Sequence, residues 1–310
     1  MVLIALKLFL GIVILLLSTR SLVTLSEKLA LHFKISPLVL GITLVALGTS
    51  LPELAVSGIA SIKGDTGLAI GNIVGSNISN LFFVLPVGIL IGKLRIGTTK
   101  TQRNSLILFG VTLLFFVYNL FSLNHFFIGI VLIGLAIFLT IAEYRWAIYG
   151  RDHEDATKIN HLTHDHFSLI HLFSLVLSLL AIIGGGFLTV IATEELAILT
   201  GISTTTLGLS LTAIATSLPE LLTTIFAQEE HQEKLTLGNI IGSNVYNLLF
   251  IGGIVSLISQ PQPLLITHWL VFITSAGLFF TIVKFYSGQK VPRWVGFFLL
   301  VCLLVYFYLL

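Results

Sequence analysis

The chain has 310 residues, 56% of them hydrophobic and only 10% charged, with a mean hydropathy of +1.05 and a formal net charge of +2. That balance excludes a soluble globular domain of this size and defines a polytopic helical membrane protein. The single cysteine, Cys302, sits in the last apolar run and carries no disulfide framework.

Ten apolar spans are predicted, at 3–24, 36–61, 67–92, 104–122, 126–149, 168–191, 203–228, 235–258, 264–285 and 291–310. Most approach the roughly 20 residues needed to cross hydrocarbon. The run at 8–17 has the size of a signal-peptide core, but no small-residue cleavage site follows it, so a retained first helix is expected. The expected fold is therefore an all-α polytopic membrane protein. Its halves are 1–149 and 168–310, five spans each, joined by a hydrophilic linker at 150–167. Five is odd, so the second half must enter the membrane upside down relative to the first, as in inverted-repeat transporters.

Lysine and arginine set the orientation. With the N-terminus outside, only Lys7 and Lys63 of the 16 basic residues face out and the other 14 (16 − 2) face the cytoplasm. Both termini are then outside. The protein is expected in a prokaryotic plasma (inner) membrane.

The two halves share a pattern. Gly48-Thr49-Ser50-Leu51-Pro52-Glu53-Leu54 in span two matches Ala215-Thr216-Ser217-Leu218-Pro219-Glu220-Leu221 in span seven, an offset of 167 (220 − 53). At the same offset, Gly71-Asn72-Ile73-Val74-Gly75-Ser76-Asn77 matches Gly238-Asn239-Ile240-Ile241-Gly242-Ser243-Asn244, and Asn80 matches Asn247. Aligned without gaps, 35–80 and 202–247 are identical at 21 of 46 positions, which marks an internal duplication.

Of the 14 acidic residues, 11 fall in loops or at span ends, and Glu143 is expected to pair with Arg145 at the end of span five. Only Glu53 and Glu220 lie at mid-membrane, where a charge costs about 2.5–3.5 kcal/mol on insertion scales. Two kinked helices held by polar contacts would not require a carboxylate at the same place in both halves. Each proline removes a backbone donor and frees a carbonyl one turn earlier. Such a break survives in a membrane only where it is buried in protein or lines a cavity. Carboxylates, freed carbonyls and hydroxyls together make the hard oxygen set that a hard cation takes. Thr49, Ser50, Thr216 and Ser217 lie within a turn of the breaks and are candidate ligands. Ser76 with Asn80, and Ser243 with Asn247, share a helix face at i and i+4. Asn77 and Asn244 are assigned to hydrogen bonding of the broken helices, and Asn72 and Asn239 to helix breaks or caps. Gly41, Gly71, Gly75, Gly208, Gly238 and Gly242 are expected to permit close helix approach. The linker histidines His153, His161, His164 and His166 could take a transition metal with Asp165, against a default of a solvated linker.

The doubled Thr-Ser-Leu-Pro-Glu-Leu and Gly-Asn-x-x-Gly-Ser-Asn motifs resemble the α-1 and α-2 repeats of the calcium/cation antiporter family, closest to prokaryotic sodium/calcium exchangers. The resemblance implies one calcium site built from Glu53, Glu220 and the carbonyls of Thr49 and Thr216. It implies sodium sites at Ser50, Ser76, Ser217, Ser243, the carbonyls of Ala46 and Ala213, and the same two glutamates, with Asn80 and Asn247 facing the centre. Many microbial relatives carry Asp where Asn247 stands, so this site holds two formal charges rather than three. One calcium neutralises it, while three sodium ions would leave an excess of +1. No cofactor, no nucleic-acid partner and no enzymatic activity are expected; the partners are calcium, sodium and the lipid bilayer.

Three alternatives differ in chemistry. Proton/calcium antiporters usually resemble Gly-Asn-x-x-Glu where this chain has Gly75 and Gly242, which favours sodium here. A cation channel is disfavoured by the inverted duplication and the lack of a ring-like filter repeat. An intramembrane hydrolase using Ser50 or Ser217 would need a positioned His or Lys base, which the sequence does not supply.

Overall fold

A computed structural model describes residues 1–32, 46–92, 94–97, 99–121, 124–149, 168–229, 233–260 and 262–310. The linker with its four histidines and the entry to the second span lie outside the described residues. The helices in chain order are α1 (Val2–His32), α2 (Ala46–Thr49), α3 (Leu51–Ile62), α4 (Thr66–Ile91), α5 (Thr99–Leu120), α6 (His125–Tyr149) and α7 (Leu169–Thr200). They continue as α8 (204–216), α9 (Leu218–Glu229), α10 (233–258), α11 (Ile266–Phe285) and α12 (Arg293–Leu309). Among the described residues, eight stretches are long and apolar enough to cross a membrane, counting 204–228 as one; α3 and α12 are shorter apolar helices. Apart from one bridge between Arg95 and Lys290, which joins the α4–α5 and α11–α12 loops, no strand pairing occurs among the described residues.

The helices of the first and sixth spans, α1 and α7, run further than their apolar stretches suggest. α1 reaches His32 rather than residue 24, and α7 reaches Thr200 rather than residue 191. At 1.5 Å per residue the 32 residues of α7 span about 48 Å, well beyond a hydrocarbon core of about 30 Å. Its last turns carry Glu194 and Glu195, which pair with Lys63 and Lys7. Lys7 meets Glu195 while Ser178 donates to Ser21 at 3.0 Å, so α1 and α7 run antiparallel. At the other end Glu143 pairs not with its neighbour Arg145 but with Arg103 of α5, at 2.8 Å. Residues two apart on a helix do not face each other, so the cross-helix partner wins.

α4 is the centre of the bundle. Its span is 83% buried, against 22% for the apolar part of α1 and 17% for that of α6. Small residues explain this position. A Cβ on Gly71 would lie 2.6 Å from the Thr205 carbonyl oxygen, and one on Gly75 2.6 Å from that of Leu209. From the facing helix, a Cβ on Gly208 would lie 2.9 Å from the Leu68 carbonyl oxygen. The α4–α8 crossing is thus closed by glycine alone, as small-residue packing in membranes requires.

Among the described residues, three π-helical turns interrupt the helices, at Asn80–Val84, Gly208–Thr212 and Asn247–Ile251. The first and third are equivalent in the duplication. Pro86 follows the first, but Gly253 stands at the matching place in the second half, so proline is not the cause of the wide turn. The Tyr306 hydroxyl donates to the Leu209 carbonyl at 2.7 Å, which satisfies an acceptor inside the α8 wide turn.

Candidate cation site

Both copies of the Thr-Ser-Leu-Pro-Glu motif break their helix at serine, with nearly equal geometry. Ser50 has φ −85° and ψ 4°, and Ser217 has φ −80° and ψ 3°. The Ser50 N–H still reaches the Ala46 carbonyl at 3.3 Å, and the Ser217 N–H reaches Ala213 at 3.1 Å. Beyond these, Pro52 and Pro219 have no N–H to give. The N–H groups of Leu54 and Leu221 go to the Ser50 and Ser217 carbonyls, each at 3.1 Å, and no backbone N–H from α3 or α9 bonds the Thr49 or Thr216 carbonyl.

The break sorts charge. Each glutamate stands in the first turn of the second half-helix, α3 or α9, where the helix dipole favours an anion. The carbonyl-rich ends of α2 and α8 face the same region and favour a cation. One short break thus supplies both a stabilised carboxylate and outward-turned carbonyl oxygens.

The two breaks meet and exchange bonds. Ser50 donates to Glu220 at 3.4 Å, and Ser217 donates to Glu53 at 3.5 Å. The Thr49 and Ser243 hydroxyls lie 3.3 Å apart, as do those of Thr216 and Ser76. Ser243 also reaches the Ala46 carbonyl at 3.5 Å. All twelve predicted site residues (Ala46, Thr49, Ser50, Glu53, Ser76, Asn80, Ala213, Thr216, Ser217, Glu220, Ser243, Asn247) are buried, both glutamates at 0% exposure. Ten are joined by these bonds or carry the carbonyls that receive them. Asn80 and Asn247 are not. Asn80 donates to Asn244 at 2.9 Å, and neither polar atom of the Asn247 side chain has a partner.

Among the described residues, neither carboxylate has a protein cation. The three ion pairs among the described residues involve other groups, and the Oε2 atoms of Glu53 and Glu220 accept no hydrogen bond. The Oδ1 atoms of Asn80 and Asn247 are likewise buried without partners. Such orphaned acceptors are rare in proteins and expensive in a low-dielectric interior. A hard cation supplied from outside the chain is the kind of partner such oxygens take. No group of three or more His, Cys, Asp or Glu converges among the described residues, so the donor set is two carboxylates plus neutral oxygens. That composition suits calcium or sodium rather than a transition metal.

Asn72 and Asn239 are not caps or break residues. Both lie inside regular helix and bond across it. Asn72 accepts from the Thr216 hydroxyl at 3.3 Å and donates to Ser57 at 3.0 Å, while Asn239 accepts from Thr49 at 3.2 Å. Their place was readable, since each precedes a site serine by four residues and shares its face. Asn77 bonds its own helix at the Ile73 carbonyl, as expected, whereas Asn244 receives Asn80 from the other half.

An apolar helical bundle in which two broken helices enclose a pair of uncompensated carboxylates defines an integral membrane transporter. The family model described as sodium/calcium exchanger protein matches residues 3–144 and 170–310, and the chain belongs to that family. It is a family of transporters, not enzymes. The chain is 31% identical to an uncharacterized membrane protein of Methanocaldococcus jannaschii, MJ0091, over 87% of this chain and 86% of that protein. It is 29% identical to the sodium/calcium exchanger MaX1 of Methanosarcina acetivorans, over 93% of each. Its fold is similar to that of the sodium-calcium exchanger NCX_Mj soaked with 100 mM Na+ and 10 mM Sr2+, with a TM-score of 0.69 and 28% identity, covering 100% of this chain and 99% of that one.

Proposed function

We propose that the chain is a secondary antiporter that exchanges sodium for calcium by alternating access. In this reading Glu53, Glu220 and the Thr49 and Thr216 carbonyls bind calcium. Sodium uses Ser50, Ser76, Ser217, Ser243, the Ala46 and Ala213 carbonyls and the same glutamates, with Asn80 and Asn247 at the centre. The observation that carries the reading is the pair of fully buried glutamates, each with an unpartnered oxygen and neither with a protein cation.

The chemistry then couples the two ions. Sodium and calcium have nearly equal radii and both take oxygen ligands, so two shared carboxylates make them compete. A carrier that changes face only with its carboxylates neutralised must exchange one ion for the other. Relative rocking of helix groups supplies access to each side in turn.

The architecture fits two inverted repeats of five spans. Separate family matches to each half support the duplication. The antiparallel course of α1 and α7, which open the two halves, supports the inversion. Counting α2 with α3 and the short α12 brings the eight long spans to ten. Lys7 and Lys63 pair with neighbouring residues of α7, which is consistent with their sharing the outer side, with both termini outside in an inner membrane.

The test is flux in proteoliposomes. Vesicles loaded with sodium and diluted into sodium-free buffer should accumulate calcium, and a pH gradient of equal energy without sodium should do far less. Calcium uptake that follows the pH gradient and ignores sodium would overturn sodium as the coupling ion and leave a proton/calcium antiporter.

A further inference from the structure

We propose that Asn72 and Asn239 are positioning residues: each amide oxygen takes the proton of a neighbouring threonine hydroxyl, Thr216 or Thr49, and so frees the Ala213 or Ala46 carbonyl for a sodium ion. This rests on the sodium reading above.

A hydroxyl has one proton to give. The Thr49 hydroxyl lies 3.2 Å from the Ala46 carbonyl and 3.2 Å from Asn239 Oδ1. The Thr216 hydroxyl lies 3.3 Å from the Ala213 carbonyl and 3.3 Å from Asn72 Oδ1. Each threonine therefore stands between two obligate acceptors at equal distance, while the third neighbour, the Ser243 or Ser76 hydroxyl at 3.3 Å, can itself donate to the threonine oxygen. The two alanine carbonyls already accept the N–H groups of Ser50 and Ser217. A carbonyl has two lone pairs, so a threonine proton on Ala46 or Ala213 fills the second and turns the oxygen away from a cation. With the proton on the asparagine, that lone pair is open at Ala213, and at Ala46 it meets only the Ser243 hydroxyl at 3.5 Å. The asparagines thus act through the threonines on the alanine carbonyls, which belong to the sodium set.

The halves are unequal. The amide of Asn72 is anchored by its bond to Ser57, which keeps Oδ1 turned to Thr216. The amide nitrogen of Asn239 is buried with no partner, and so is the hydroxyl of Thr224, which stands where Ser57 would be (57 + 167 = 224). Asn239 is held by less, and its loss should matter less.

The experiment measures half-saturating sodium and the KM for calcium in proteoliposomes for Asn72→Leu and Asn239→Leu, alone and combined with Thr216→Val or Thr49→Val respectively. Leucine keeps the volume and removes the acceptor. The expected result is a rise in half-saturating sodium of roughly threefold to tenfold, the scale of one hydrogen bond. It should be larger for Asn72, with the calcium KM within about twofold of wild type. Valine removes the competing proton, so in its background the asparagine change should add nothing, a coupling that a double-mutant cycle reads directly. Ser57→Ala, which leaves Asn72 in place but unanchored, should raise half-saturating sodium in the same direction by less, and it keeps the idea testable if the leucine variants do not assemble. Equal losses for sodium and calcium, or an undiminished asparagine effect in the valine background, would show packing alone and overturn the proposal. Calcium flux in wild type that ignores sodium would overturn the functional reading itself, and is seen without any variant.

Discussion

The two halves of the site carry the same side chains 167 residues apart and satisfy them differently. Their backbones agree closely: both serines break the helix at nearly the same angles, and Asn80 and Asn247 both open a wide turn. Their hydrogen bonds do not. Asn80 is bonded to Asn244, whereas Asn247 has no partner; Asn72 is anchored by Ser57, whereas the Asn239 amide is not. Local sequence repeats the backbone, but the side chains bond partly across to the other half, as Asn80 does, and partly to positions where the halves differ, as at Ser57 and Thr224. An internal duplication can therefore keep two equivalent ligand sets and still make one half firmer than the other.

The comparison breaks most sharply at the element the halves share without asymmetry. Glu53→Gln and Glu220→Gln should each reduce calcium transport at least about a hundredfold, because a divalent site loses half its charge while the side-chain shape is kept. Folding should survive or improve, since removing a buried charge relieves its desolvation cost. Calcium-45 uptake together with elution as a single folded species checks both. Normal uptake by either variant would remove that glutamate from the site.

The asparagines should then separate the halves. Asn80→Asp deletes the donor to Asn244 and sets two oxygens face to face, which costs about 1–3 kcal/mol in an interior without water. Asn247→Asp breaks no bond and should lower the unfolding midpoint less. It adds a third carboxylate beside two others, and protons should then compete with the ions, making transport more pH-dependent and inhibited near neutrality. Equal melting points and unchanged pH profiles for both variants would mean that the difference between the two amides has no energetic weight.

Smaller effects are expected at the hydroxyls. Ser50→Ala, Ser76→Ala, Ser217→Ala and Ser243→Ala should each raise half-saturating sodium several-fold with less change in calcium affinity. In the proposed sodium set each change removes one neutral ligand and leaves both carboxylates. A shift in calcium affinity of the same size would assign the serine to both ions or to neither.

Much of this was legible in the sequence because the signal is written twice. A mid-membrane Glu beside Pro has few structural explanations, and its recurrence 167 residues later left fewer. The glycines at 71, 75 and 208 announced the close crossing that the structure contains. What escaped was decided between helices. Glu143 has an arginine two residues away in sequence, yet pairs with Arg103 forty residues back. Asn72 and Asn239 looked like caps because they sit near glycine, although their spacing from Ser76 and Ser243 already placed them on the site's face. The length of α7 was hidden because Glu194 and Glu195 end the apolar run without ending the helix, their charges being met by Lys63 and Lys7. The wide turns carry no proline or glycine rule that holds in both halves.

In the proposed exchanger two half-sites form one ion site on which calcium and sodium compete. Equilibrium binding of calcium-45 to the purified protein, titrated with sodium at constant ionic strength, reads that competition. One calcium per chain is expected to bind in the absence of sodium and to be displaced completely as sodium rises, with no binding to Glu53→Gln or Glu220→Gln. Two calcium ions per chain, or one that sodium leaves in place, would contradict that shared site.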